Sequence, residues 1–434
     1  VPTGTRPIAI SGVTPAAMNE MLPADPPPGA QVTAEVPRHG ALDNPRAIND
    51  VLALLDSTWL LARTKARPTH YDVAVSKVCN IKCPFCPRQT FPAEEIKSGL
   101  MREEHFAPVV PHLETSHRTG LYGLGEPFLN PRFFDFLAAA KERGSYCMTS
   151  SHGMSLTPEM IERVLDSGLD ELCVSMDGAS PRTFNFLRSG ADFHTVVHNV
   201  TALLRRRNER GQKTPRVHIA CAISKYNVWE LKAMVRLAHR LGADQLAFSN
   251  LVLDHPEHAH ASVAGTWVFR FNMNRAVREA KRLGLDQVYF YQMPFPYKEE
   301  APPEPRPGVR HGCPSAWRQL IIERDGNIKP CCYLDVSLGN TKEGTMEGHF
   351  NSEAGVALRQ SFVDGNYYSK CKNCGQFLEI TDERTREILD EAAVLIREGA
   401  FSEETRRMLA EAHAEFVAAA RERGIVAAEV GATR

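Results

Sequence analysis

Three thiols crowd into eight positions, Cys79-Asn80-Ile81-Lys82-Cys83-Pro84-Phe85-Cys86. Three thiolates hold three irons of a 4Fe-4S cluster and leave the fourth iron open to a non-protein ligand. Zinc is the alternative on spacing, because Cys83 and Cys86 form a Cys-x2-Cys pair that His70 or His105 would complete. A second group lies far downstream: Cys313, Cys331, Cys371 and Cys374, the last two again a Cys-x2-Cys pair. Four thiolates with no open position fit a complete 4Fe-4S cluster or a structural zinc. Cys332 sits beside Cys331 and could replace it as a ligand. The total of eleven cysteines is odd, and in a chain without a secretory signal the default is reduced thiols serving metal or catalysis.

These groups need a scaffold, and the sequence between them supplies one. From Tyr71 to Leu251 short apolar runs alternate with helical patterns, the mark of successive βα units and a parallel sheet. Six strands are predicted: Tyr71–Val78, Gly120–Gly125, Ser145–Ser150, Glu171–Met176, Arg216–Ile223 and Gln245–Ser249. Thr157-Pro158 and Ser180-Pro181 read as N-cap and first-turn proline, while Gly168 and Gly242 mark helix ends. With right-handed crossovers the six units make an α/β fold, a partial (β/α)6 barrel whose chemistry gathers at the C-terminal strand ends. The first thiol group follows the first strand. Five stretches are expected: an N-terminal arm and helix (1–65, with Pro26 to Pro28 in succession), the partial barrel (66–255), a Pro-rich linker and barrel-closing segment (256–310), a small C-terminal domain (311–380) and terminal helices (381–434). The small domain should contain a β-hairpin, since Asp325-Gly326 between two apolar runs provides the positive φ of a tight turn. Its hairpin and helices carry the second thiol group. Two amphipathic helices separated by Gly399 should pack on the body, with a frayed tail after Gly424.

Composition narrows the classes. Lys and Arg number 51 against 52 Asp and Glu, a net charge of −1, so no global positive field attracts nucleic acid or anionic membranes. No run of about 18 apolar residues occurs, and the reading is a cytoplasmic enzyme with neither nucleic-acid nor membrane partners.

The Cys79-x3-Cys83-x-Phe85-Cys86 arrangement after strand one resembles the radical S-adenosylmethionine (SAM) superfamily. The likeness runs over about 180 residues. Gly125-Glu126-Pro127 at the end of strand two is similar to the family's Gly-Glu-Pro motif, which receives the SAM amino group; Leu124 stands where a further glycine is common. Ser151-His152-Gly153 takes the place of Thr-Asn-Gly after strand three. Ser175-Met176-Asp177-Gly178 resembles the family's Ser-x-Asp-Gly, implying a ribose contact from Ser175, with Asp177 either part of that site or a cap on the next helix. Arg188 matches a position used to pair the SAM carboxylate, a task suited to a guanidinium, and Phe85 is expected along the adenine. The resemblance implies a 4Fe-4S cluster whose open iron is chelated by SAM. It also implies reductive cleavage to methionine and a 5′-deoxyadenosyl radical, and hydrogen abstraction from an unactivated C–H bond. An electron donor such as flavodoxin or ferredoxin would supply the reducing electron.

The second thiol group resembles the shortened SPASM-type domain called Twitch, seen in the butirosin-pathway inosamine dehydrogenase. No further cysteines follow Cys374, so one auxiliary 4Fe-4S cluster with Cys313, Cys331, Cys371 and Cys374 is expected. The comparison points to a small carbohydrate-like substrate, a sugar, aminocyclitol or oligosaccharide of a natural-product (antibiotic) pathway. Its carbinol C–H would be oxidised or epimerised, with an inclination to epimerisation because spare thiols can return hydrogen. Cys332 and Cys221 are the preferred donors, ahead of Cys147 and Cys173. Ser249, Asn250, Asp254, His255, His218 and the stretch from Tyr289 to Tyr297 are further polar candidates near the barrel top. Two other readings stay open, a peptide-modifying radical SAM maturase with a leader-binding fold in residues 1–65 and a zinc-stabilised binding protein.

Overall fold

On β5 (Arg216–Ile223) burial alternates residue by residue. Val217, Ile219, Cys221 and Ile223 are packed in the core, while His218, Ala220 and Ala222 point the other way, as successive side chains of a strand must. That alternation fixes which residues line the lumen. The protein's computed structural model describes residues 42–92, 96, 99–251, 256–285, 287–291, 306–372, 374 and 377–426. The Pro26–Pro28 arm, Asp254, His255, most of the Pro-rich linker with Tyr297, and the tail from 427 lie outside the described residues.

Seven strands run parallel in chain order: β1 (His70–Ala74), β2 (Arg118–Tyr122), β3 (Tyr146–Ser151), β4 (Glu171–Ser175), β5, β6 (Gln245–Asn250) and β7 (Val288–Tyr291). The mixed α/β fold with its parallel sheet is the one the sequence leads to. Two helices of the crossovers begin and one ends where local chemistry dictates. Thr157 Oγ1 accepts from Met160 N at 3.2 Å ahead of a helix at Pro158–Asp166, and Ser180 caps the helix at Pro181–Leu187. Gly242 ends the helix at Leu231–Leu241 with φ 72°, a left-handed conformation that glycine adopts without strain. β1 stops at Ala74, short of the expected Val78, because the chain turns into the cysteine loop. There the Ser76 and Val78 carbonyls accept from Gly125 N and Glu126 N at 2.9 and 2.8 Å. A seventh strand adds to the six expected: a Val-Tyr-Phe-Tyr run inside the stretch read as linker and barrel-closing segment pairs with β6 after a helix at Trp267–Leu283.

The hairpin forms at Asp325-Gly326, with β9 (Gln319–Ile322) antiparallel to β10 (Asn327–Lys329) and Gly326 at φ +83°. It is not confined to the small domain. β9 pairs in parallel with β1, His70 opposite Gln319, and β11 (Gly339–Asn340) adds to β10, giving a ten-stranded sheet. This covers the edge that β1 would otherwise present with unpaired backbone groups. A separate two-stranded ribbon, β8 (Val309–Gly312) with β12 (Leu378–Thr381), brackets the second thiol group. Beneath it Trp317, Leu358, Phe362 and Ile380 form a small core with Cys313, Cys331 and Cys371 on its edge.

Helix α1 (Pro45–Trp59) packs with the two terminal helices (Asp382–Glu398 and Glu403–Glu422) through Val51, Leu55, Leu389, Leu409 and Phe416. No described helix is long and apolar enough to cross a membrane.

Candidate functional site

The loop from Lys77 to Pro87 carries Cys79, Cys83 and Cys86, all partly exposed. It is strapped from several sides. Arg88, almost fully buried, donates to the Ile81 carbonyl at 2.8 Å, and Lys82 N donates to Ser189 O at 2.7 Å. Gly125 crosses it so closely that a Cβ there would stand 2.3 Å from the Val78 carbonyl oxygen, which explains the glycine.

Behind this strap the Glu126 carboxylate is buried and engaged. Its oxygens accept from Ser151 Oγ at 2.9 Å and His152 N at 3.0 Å; burial, outweighing these bonds, raises its pKa to about 7. His152 Nδ1 accepts from Met154 N at 3.0 Å, and its Nε2 lies 2.7 Å from Asn80 Oδ1. Only a neutral ring protonated at Nε2 satisfies both, in keeping with burial lowering its pKa to about 4. Ser151 and His152 therefore brace the turn after β3 against the cysteine loop. Glu126 is bonded to that brace, and Pro127 opens the buried turn that follows it.

Asp177 does not cap the following helix; Ser180 does. Instead Asp177 Oδ1 accepts from Ala222 N at 2.8 Å and Oδ2 meets Arg188 Nε at 2.6 Å. Burial opposes the Arg188 charge, but Asp177 and the Cys83 thiol outweigh it and raise the guanidinium above its ordinary pKa. Arg188, Asp177, Phe85, Cys83 and Cys86 line one cavity of about 220 Å3, together with Ser249 and Asn250 from the end of β6. Phe85 stacks on Tyr226 with ring centroids 5.7 Å apart. Ser175, the last residue of β4, is half-buried and is not among the residues lining this cavity.

Cys313, Cys331, Cys371 and Cys374 line a second cavity of about 120 Å3. Burial pushes the Cys313 thiol up to about 11 and the Cys371 thiol up to about 12, so both would release protons on binding metal. Among the described residues no three His, Cys, Asp or Glu side chains converge tightly enough to hold a single metal ion. His70 is bonded to Thr69 at the start of β1, and His105 lies beside Glu104. Neither histidine lines either of the two cavities that the thiols border.

A third cavity of about 590 Å3 opens over β1, β2 and β9, lined by Asp72, Lys77, Tyr122, Gln319, Arg324 and Lys329 among others. Cys332 lines both this space and the one between the auxiliary thiols. It is the one exposed thiol of the eleven. Cys221, the other preferred donor, is 1% exposed on the helix-facing side of β5 with Asn227 against its sulfur. The period of two turns it away from the lumen, and Cys147 is likewise fully buried. Cys173 faces inward beside His218, whose Nδ1 lies 2.9 Å from Glu171. Sequence reading missed Asp72, Tyr122 and Gln319; two-residue alternation from His70 and Arg118 would place the first two inward once the strand phase is known, whereas Gln319 arrives only through the pairing of β9 with β1.

Residues 73–248 match the radical SAM superfamily and residues 313–375 match SPASM, an iron-sulfur cluster-binding domain. A tungsten-containing aldehyde ferredoxin oxidoreductase cofactor-modifying protein of Pyrococcus furiosus is 25% identical over 335 residues, 71% of this chain and 89% of that protein. An AdoMet-dependent heme synthase of Nitratidesulfovibrio vulgaris is 20% identical, over 69% and 83% of the two chains. Among solved structures, Streptococcus suis SuiB bound to S-adenosylmethionine superposes with a TM-score of 0.53 at 14% identity, covering 71% of each chain; it shows the shared fold.

Proposed function

Because the chain belongs to the radical SAM superfamily and carries a SPASM/Twitch-like iron-sulfur domain, we propose that it epimerises a carbinol carbon of a small carbohydrate-like substrate. The observation that carries this reading is Cys332, which borders both the barrel cavity and the auxiliary thiols. When bound, SAM and the two clusters supply the 5′-deoxyadenosyl radical and the electrons. The side chains do the rest. Arg188, with Asp177 fixing its orientation, offers a guanidinium to the SAM carboxylate; Glu126, Ser151 and His152 hold the turn that borders the SAM site; Phe85 offers a ring to the adenine. In the 590 Å3 cavity Asp72, Tyr122, Gln319 and Lys77 provide hydroxyl, amide and charged partners for a polyhydroxylated ligand, and the volume lies in the usual range for small-ligand sites. Cys332 then hands a hydrogen atom to the substrate carbon from the face opposite the abstraction, and the thiyl left behind would regain its thiol with a solvent proton and one electron supplied through the adjacent auxiliary cluster.

Two-electron dehydrogenation uses the same site without the thiol. The names of the curated relatives favour a second substrate class, a cofactor or cofactor precursor. One experiment separates epimerisation from dehydrogenation. The anaerobically reconstituted protein, with about eight irons expected for two clusters, is turned over with SAM and candidate glycosides in deuterated water. Epimerisation leaves solvent deuterium in recovered substrate, and Cys332→Ala continues to cleave SAM while losing the epimer. A ketone product that is indifferent to Cys332→Ala would refute the thiol donor and leave dehydrogenation.

A further inference from the structure

Five large aromatic side chains stand exposed on one side of the barrel: Phe186, Tyr226, Trp229, Trp267 and Phe271, at 37 to 64% exposure. Four of them form two ring pairs. Phe186 and Tyr226 have ring centroids 5.1 Å apart, Trp267 and Phe271 6.3 Å, and the helix carrying the last two packs on the turn at Val228–Glu230. Tyr226 also stacks on Phe85 of the cysteine loop, so the patch begins where the first thiol group reaches the surface. An exposed aromatic cluster of this kind marks a protein interface.

Charge says what kind of partner. The segments 79–90, 177–190, 224–232 and 267–282 carry seven exposed Lys and Arg and three carboxylates, in a chain whose totals are 51 and 52. Each carboxylate is turned inward: Asp177 pairs with Arg188, Glu230 accepts from Ala179 N and the hydroxyls of Ser180 and Thr183, and Glu279, 4% exposed, is held by Arg236 and Arg282. Lys82, Arg182, Lys225 and Arg275 are exposed. The face is locally basic although the chain is neutral.

We infer that this face docks an acidic one-electron carrier protein that reduces the first cluster. The inference rests on the radical SAM reading and adds the partner's seat. One electron leaves the carrier, which is oxidised, enters the cluster and is consumed when the sulfonium C–S bond of SAM breaks. Opposite charges raise the encounter rate and salt screens them; the aromatic centre provides the desolvated contact.

The test uses the cluster-loaded protein and an acidic flavodoxin as probe. Two variants avoid the cofactor site: the triple reversal Arg182→Glu/Lys225→Glu/Arg275→Glu, and Trp229→Ala/Trp267→Ala. Direct binding is titrated at low and high salt, and SAM cleavage is driven either by reduced flavodoxin or by dithionite. Both variants should bind flavodoxin about tenfold or more weakly and slow flavodoxin-driven cleavage in proportion, with dithionite-driven cleavage unchanged. Parent-like flavodoxin binding in both variants overturns the inference, as does an aromatic variant that merely dissociates a homodimer. Failure of the parent to cleave SAM with dithionite would refute the family reading, while the binding titration still reports on the surface.

Discussion

His218→Gln asks whether the floor of the barrel holds a charge. His218 Nδ1 lies 2.9 Å from Glu171 Oε1, with both side chains largely buried, and Tyr146 donates to the other Glu171 oxygen at 2.9 Å. Burial opposes the imidazolium, but the Cys173 thiol and Glu171 carboxylate outweigh it and raise the pKa from 6.5 to about 10. A group raised in the folded state contributes stability that is complete below its unfolded pKa and is lost as pH rises through the folded one. The window here runs from 6.5 to about 10. At about 1.4 kcal/mol per unit the full contribution is on the order of 5 kcal/mol, comparable to the roughly 3–5 kcal/mol for breaking a buried pair. Glutamine keeps a donor near Glu171 without the charge. Anaerobic thermal unfolding of the cluster-loaded parent and variant, followed from pH 6.5 to about 10, should show a gap of several kcal/mol that closes steadily as pH rises. A gap independent of pH would mean that His218 is neutral and refute the reasoning.

Two further perturbations address the SAM side. Gly125→Ala drives a methyl group to within 2.3 Å of the Val78 carbonyl oxygen, with only backbone atoms nearby to yield. It should cost about 1–3 kcal/mol and lower the iron retained by the first cysteine loop, which iron analysis with Cys371→Ala as background would show; full iron content and normal cleavage would contradict the tight crossing. Asp177→Asn keeps an acceptor for Ala222 N but leaves the Arg188 charge uncompensated. The expected result is a stability loss of about 3 kcal/mol together with a SAM dissociation constant raised about tenfold, measured by isothermal titration, whereas unchanged affinity would remove Arg188 from the SAM site.

Much of this architecture was legible because its signals are local. Six of the seven parallel strands, the caps at Thr157 and Ser180, the turn at Gly326 and the grouping of thiols follow from short-range patterns. What escaped was long-range or phase-dependent. Four residues at Val288–Tyr291 become a strand only because β6 offers an open edge. β9 leaves its own domain to join β1 because that edge is uncovered too. Asp177 looked equally suited to cap a helix or to border the cofactor, and the choice depends on Arg188, which arrives from the far end of that same helix. Cys332 and Cys221 were both candidate donors in sequence, in that order; strand phase buried Cys221, and the β9–β1 pairing exposed Cys332.

That pairing bears on the reaction itself. Since β9 is registered on β1, His70 opposite Gln319 and Val73 opposite Ile322, the chain leaving β10 is returned to the cavity mouth by sheet geometry and not by a free linker. Cys332 is consequently held beside the lumen by the same hydrogen-bonded frame that positions Asp72, and Gln319 ties that frame to Asp72 at 2.6 Å. A hydrogen donor gains most from such fixed placement, because transfer to a short-lived substrate radical depends on a near-contact geometry set in advance. Dehydrogenation would need only the auxiliary thiols within electron-transfer reach and would have no use for a further thiol facing the proposed substrate cavity. The placement of Cys332 is therefore an argument for hydrogen return. It also predicts that loosening the β9–β1 register, for instance by Leu320→Pro on β9, should impair epimer formation before it impairs SAM cleavage.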